Sequence, residues 1–77
     1  MTMEGQTETV FVKLLDEGTE VARPTSALPL GDGLYELLPT PDYNADIETW
    51  EFLPGSKVEV ELTARSGGPI LLAVARR

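Results

Sequence analysis

The stretch Asp42-Tyr43-Asn44-Ala45-Asp46-Ile47-Glu48 sets four oxygen-bearing side chains two residues apart, which is how a calcium-binding loop begins. The rest of such a loop is missing. Counting from Asp42, the sixth place holds Ile47 where a glycine must turn the chain, and the twelfth holds Leu53 where a bidentate glutamate belongs. A solvated loop in which Asn44 caps a single helical turn through Ala45, Asp46 and Ile47 is the simpler reading. No metal and no cofactor are therefore assigned, and a divalent-cation-binding loop stands as an alternative.

Other residues of catalytic type lack their complements. Adjacent acids such as Asp16 with Glu17, or the alternate pair Glu59 and Glu61, fall in a turn and on the solvent side of a strand. Neither setting desolvates a carboxyl enough to split an acid from a base. Ser26, Ser56 and Ser66 have no histidine to activate them, because the 77-residue chain contains no His and no Cys. The same absence excludes thiolate and imidazole metal sites, cysteine nucleophiles and disulfides. Gly31-Asp32-Gly33 has neither the third glycine nor the following helix of a phosphate loop. The expectation is a protein that is not an enzyme.

Binding chemistry remains, and charge directs it. Thirteen acids against six bases give a net charge of −7. That is the wrong sign for a phosphate backbone or an anionic lipid surface, so neither nucleic acid nor membrane is an expected partner. A basic protein surface fits. Acids concentrate in Asp42–Glu61, which holds six of them with one lysine, and in Glu8–Glu20, with four and one lysine. Aromatic side chains ringed by acid make strong anchors for such a partner. Trp50, Phe52 and Tyr35 are expected in the core, whereas Tyr43 and Phe11 have polar neighbours and are candidates for exposure. The expected partner-binding residues are Phe11, Asp42, Tyr43, Asp46, Glu48, Glu51, Glu59 and Glu61.

These residues must be positioned by strands. Thr9 to Leu15 alternates, with Val10, Val12 and Leu14 on one face and Phe11, Lys13 and Leu15 on the other. Asp16-Glu17-Gly18-Thr19 supplies a turn, and a second strand starts near Glu20. Pro24 and Pro29 each remove a backbone donor, which predicts an irregular edge segment. Ser26 to Leu38 reads as a hairpin about Gly31-Asp32-Gly33. Residues 39–48 form the one long loop. Pro54-Gly55 turns the chain into Lys57 to Thr63, where Val58, Val60 and Leu62 are expected to face inward and Lys57, Glu59 and Glu61 to face water. Ser66-Gly67-Gly68-Pro69 closes a hairpin onto Ile70 to Ala75. That last strand is apolar on both faces, so its second face needs cover; Trp50 is a candidate lid, and a homodimer is a second solution. Short strands, Gly and Pro turns and no amphipathic helix predict an all-β fold, a five- or six-stranded antiparallel barrel over residues 8–77 behind a flexible 1–7 segment.

Val-Phe-Val-Lys-Leu-Leu-Asp-Glu-Gly-Thr-Glu-Val, Gly-Asp-Gly-Leu-Tyr-Glu-Leu-Leu and Trp-Glu-Phe-Leu-Pro-Gly-Ser-Lys-Val-Glu-Val, spanning roughly residues 9–75, together resemble Src-homology-3-like small barrels of short bacterial proteins. The resemblance implies a barrel and transfers no functional residue. Such barrels serve as adaptors, peptide binders, nucleic-acid binders and inhibitors. With the charge, this points to an acidic interaction module or accessory protein of a bacterial or phage system. The alternative is an acidic inhibitor, such as an immunity protein, antitoxin or anti-defence protein, that occupies a basic nucleic-acid-binding surface. Met1 to Glu8 has no signal-peptide character, and the longest apolar run, Ile70 to Ala75, is six residues, so a cytoplasmic location is expected.

Overall fold

The computed structural model describes residues 6–15, 21–41, 43–44 and 46–77. Five strands, β1 (Glu8–Leu14), β2 (Val21–Gly31), β3 (Leu34–Leu37), β4 (Lys57–Arg65) and β5 (Gly68–Arg76), form one all-β, ring-like sheet. Among the described residues there is no helix, and so none long and apolar enough to cross a membrane. Sequential neighbours pair antiparallel. An odd number of strands in such a meander must leave the first and last pointing the same way, and β1 meets β5 in parallel at Phe11↔Leu72. The turn expected at Asp16 to Thr19 and the start of β2 at Glu20 lie outside the described residues, as do residues 1–5 of the amino-terminal segment.

β2 is irregular as expected, with its register against β3 shifting between Pro29 and Gly31, but it is not broken at the prolines. It is one continuous strand of 11 residues that carries both prolines. Register explains how. Lys13 accepts a bond from Glu51 and Leu15 donates to Thr49, so the odd residues of β1 aim their backbone groups away from β2. Pro24, opposite Phe11, then directs its missing donor away from β1, to a stretch of β2 that β3 does not reach, because β3 pairing starts at Ala27. Pro29 directs its own toward the β1 side, where pairing has already ended at Glu8↔Ala27. Each ring sits where the ladder has no bond to lose.

The tight turns match the sequence. Gly31↔Leu34 flanks a two-residue loop in which Asp32 and Gly33 both take positive φ, 58° and 78°, the turn whose twist suits a hairpin. Pro54-Gly55 makes the second turn, closed by Ser56 donating to Leu53 at 3.0 Å with Gly55 at φ 92°.

The interior holds Val10, Val12, Ala27, Leu37, Trp50, Val58 and Ala73, with Leu14, Tyr35, Tyr43, Phe52, Val60 and Leu71 packed against them. Two face assignments need correction. Leu62, expected inside, is 69% exposed. β3 reaches β4 only at Lys57, Val58 and Glu59, so Leu62 lies beyond the ring on a hairpin that β5 alone accompanies. On β5 the expected alternation of Ile70, Leu72 and Val74 against Leu71, Ala73 and Ala75 breaks at Val74. That residue is the extra one where Glu59↔Ala75 passes directly to Val60↔Ala73.

Candidate functional site

The long connection after β3 is anchored from its first residue. Leu38 donates to Ser26, and the Thr25 hydroxyl donates to the Leu38 carbonyl, which satisfies the one buried polar residue of β2. Further on, the Asn44 side-chain oxygen accepts the Asp46 amide at 2.9 Å, and the Asn44 carbonyl accepts Ile47 and Glu48 at 3.0 Å each. This is the expected single turn capped by Asn44. It commits the Asn44 side-chain oxygen to the backbone instead of to a cation. Among the described residues no group of three or more carboxylates is placed to hold a metal ion, while Asp42 and Ala45 lie outside them.

The connection ends by plugging the ring. Trp50 bridges to Leu14, and the bonds from Leu15 to Thr49 and from Glu51 to Lys13 make residues 49–51 a short antiparallel rung on β1. β1 thus shares its second edge between β5 at Phe11 and this rung at Leu14. Trp50 is only 2% exposed. Its indole N–H donates to Glu48 Oε1 at 3.0 Å, and Arg23 Nε stands 3.2 Å from the same oxygen. Arg23 is opposite Val12 and so shares its inward face, at the mouth of the ring. Tyr43 meets the Trp50 ring edge-on, with centroids 5.0 Å apart and planes at 75°. The cluster Arg23, Tyr43, Glu48 and Trp50 closes one end of the core. Trp50 is accordingly an interior plug at β1. The second apolar face of β5 is met instead at the seam, where Leu72, 5% exposed, stands beside Phe11.

The expected partner-binding residues fall into distinct places. Tyr43 is half-buried against Trp50, and Glu48 is engaged by Arg23 and the indole. Asp46 and Glu51 are exposed on the same connection. Asp42 lies outside the described residues. Glu59 and Glu61 project from the outer face of β4, and Glu59 pairs with Arg77 at 2.9 Å in an exposed contact. Phe11 is half-buried on the outer face of β1.

Register places two of these residues in one row. Across the outer surface run Pro24, Phe11, Leu72 and Glu61, from β2 through β1 and β5 to β4. Beside Phe11 lies a cavity of about 330 Å³, lined by Phe11, Ala22, Arg65, Gly67, Gly68 and Ile70. Sequence reading did not find this groove. It depends on the parallel seam, and no local pattern announces which strand pairs with the first. Among the described residues, the carboxylates of Asp46, Glu51 and Glu61 form no ion pair.

No family model matches this chain, and no curated protein or solved structure shows significant similarity to it.

Proposed function

We propose that this chain is a small acidic interaction domain, a barrel of the Src-homology-3-like kind, that recognises a basic protein surface without carrying out chemistry on it. The observation that carries this reading is the set of exposed carboxylates, Asp46, Glu51 and Glu61, that form no ion pair among the described residues, on a chain of net charge −7. An acid neutralised internally adds little to the outer field. One left in water contributes to steering and to pairing with an incoming cation. The absence of His and Cys from the sequence supports recognition over catalysis. A basic surface that otherwise holds a phosphate backbone is the partner such a field fits most directly, which makes inhibition the natural outcome of binding.

The test is capture of partners by the full chain from a native lysate at low and at high salt. Basic proteins retained at low salt, released at high salt, and lost by a variant carrying Asp46→Asn, Glu51→Gln and Glu61→Gln support the reading. Retention indifferent to both salt and the three substitutions overturns it.

A further inference from the structure

The β4 strand has a free edge, and what it carries is selective. β3 pairs with β4 at Lys57, Val58 and Glu59 and stops, whereas β5 follows β4 as far as Arg65. Lys57 accepts from Arg77 on the β5 side, so odd residues of β4 face β5 and even residues face the other way. Val60 stands opposite Gly33 at the start of β3, and beyond it Leu62 and Ala64 turn their N–H and C=O groups to the edge that β3 has left.

Natural sheets blunt such an edge with proline, with an inward-pointing charge or with a covering loop. Among the described residues the segment carries no proline and no inward-pointing charge, and the bulge at Val74 lies on the β5 side of the ladder. The inward-facing side chains of the segment are Val60, Leu62 and Ala64, and Leu62 is 69% exposed. On the outer face of the same segment stands Glu61, exposed and without an ion pair among the described residues. A backbone template, an apolar side chain beneath it and an unpaired acid above it are what an added strand would require.

We infer that the Leu62–Ala64 edge of β4 is the docking site for an extended strand of the basic partner, added to the sheet by backbone hydrogen bonds. Its alternate side chains place an apolar residue over Leu62 and a lysine or arginine against Glu61. Charge selects this occupant over a second copy of the chain, because two copies bring −7 against −7. The inference rests on the proposal that the partner is basic.

Amide hydrogen exchange with a synthetic peptide of alternating lysine and valine, capped at both ends, tests it. In the free protein the amides of Leu62 and Ala64 exchange rapidly, while those of Glu61 and Thr63 are held by β5. With saturating peptide, Leu62 and Ala64 slow by about tenfold or more, and Glu61 and Thr63 change little. A peptide of alternating glutamate and valine gives no protection. Leu62→Lys puts a charge on an exposed position, so the melting temperature holds while the protection is lost. Leu62→Pro removes an edge donor without touching the β5 ladder, and it also abolishes protection.

Peptide binding that protects no β4 amide overturns the edge and leaves the basic-partner reading standing. Failure of the lysine-valine peptide and of every basic lysate protein to bind overturns both. Protection that appears without peptide and grows with protein concentration assigns the edge to a second copy and overturns the proposed occupant.

Discussion

Phe11 stands opposite Leu72 across the parallel seam, the one register pair that joins the first strand to the last. Val10 and Val12 point into the core from β1, and Leu71 and Ala73 do so from β5, so both seam residues belong to the outer face. Leu72 is nonetheless 5% exposed. An outer residue can be that dry only if its neighbours on the same surface cover it, and Phe11 is its lateral neighbour. Phe11→Ala is therefore expected to lower stability by about 2 kcal/mol, less than a fully buried ring costs, because Phe11 is half-buried. Leu53→Ala, at a side chain 58% exposed, is expected to change stability by less than about 0.5 kcal/mol. Denaturant unfolding of the two variants measures both, and equal losses would mean that the seam does not hold the ring.

The corrected face of β4 yields a sharper contrast. Val58 is fully buried while Leu62 is 69% exposed, although both fall on the same alternation. Val58→Asp buries an unpaired charge and is expected to cost more than about 3 kcal/mol, enough to unfold a domain of this size. Leu62→Asp places its carboxylate in water and should leave the melting temperature nearly unchanged. Thermal melts by circular dichroism decide between this arrangement and the one that alternation alone implies. If Leu62→Asp also unfolds the protein, β4 is covered past Glu59.

That contrast shows what could be read from residue order and what could not. Alternation in β1 and β4, together with the Asp32-Gly33 and Pro54-Gly55 turns, located strands and hairpins because each signal is local. Alternation says which side chains share a face. It does not say whether another strand lies alongside, and Leu62 was misplaced because β3 ends at Leu34, opposite Glu59. The prolines of β2 misled for a related reason. Their cost depends on whether the missing donor faces a partner, and only the full register shows that neither does. Of the candidate site, the exposed positions of Asp46, Glu51 and Glu61 followed from sequence, whereas the engagement of Tyr43 and Glu48 by Trp50 and Arg23 did not. Those contacts join the connection to the mouth of the ring, and no short-range pattern encodes them.

Glu48 Oε1 accepts the Trp50 indole N–H at 3.0 Å and forms an ion pair with Arg23, whose Nε stands 3.2 Å away. Removing the carboxylate leaves a nearly buried indole N–H without its acceptor, and an orphaned donor costs about 1–3 kcal/mol. Glu48→Ala is therefore expected to lower stability by about 2 kcal/mol. Glu48→Gln keeps an oxygen for the indole and gives up only the charge opposite the partly exposed Arg23, so it should lose about half as much. Trp50 fluorescence reports the plug directly, since Trp50 is the only tryptophan in the chain. Its emission should shift to longer wavelength in Glu48→Ala and stay near the parent in Glu48→Gln. Identical spectra and stabilities for the two variants would show that the acceptor role is not what holds the ring in place.

Tyr35 supplies the pH-dependent measurement. Burial is the main reason its phenol is held above the ordinary value of about 10, and the nearby Glu8 carboxylate adds repulsion and a long hydrogen bond, Oη to Oε2 at 3.5 Å. A raised pKa in the folded state means that folding favours the neutral phenol. The resulting stability is fully present below the unfolded pKa near 10 and is lost as the pH rises through the higher folded value. Denaturant unfolding should therefore show constant stability from this group at neutral pH and a decline only in strongly alkaline solution. Glu8→Gln removes the charge but not the burial. The Tyr35 ring resonances should then titrate at a lower pH than in the parent while remaining above the unfolded value, because desolvation is the larger cause. A Tyr35 titration that Glu8→Gln does not move would mean that β1 and β3 do not bring these two side chains together in solution.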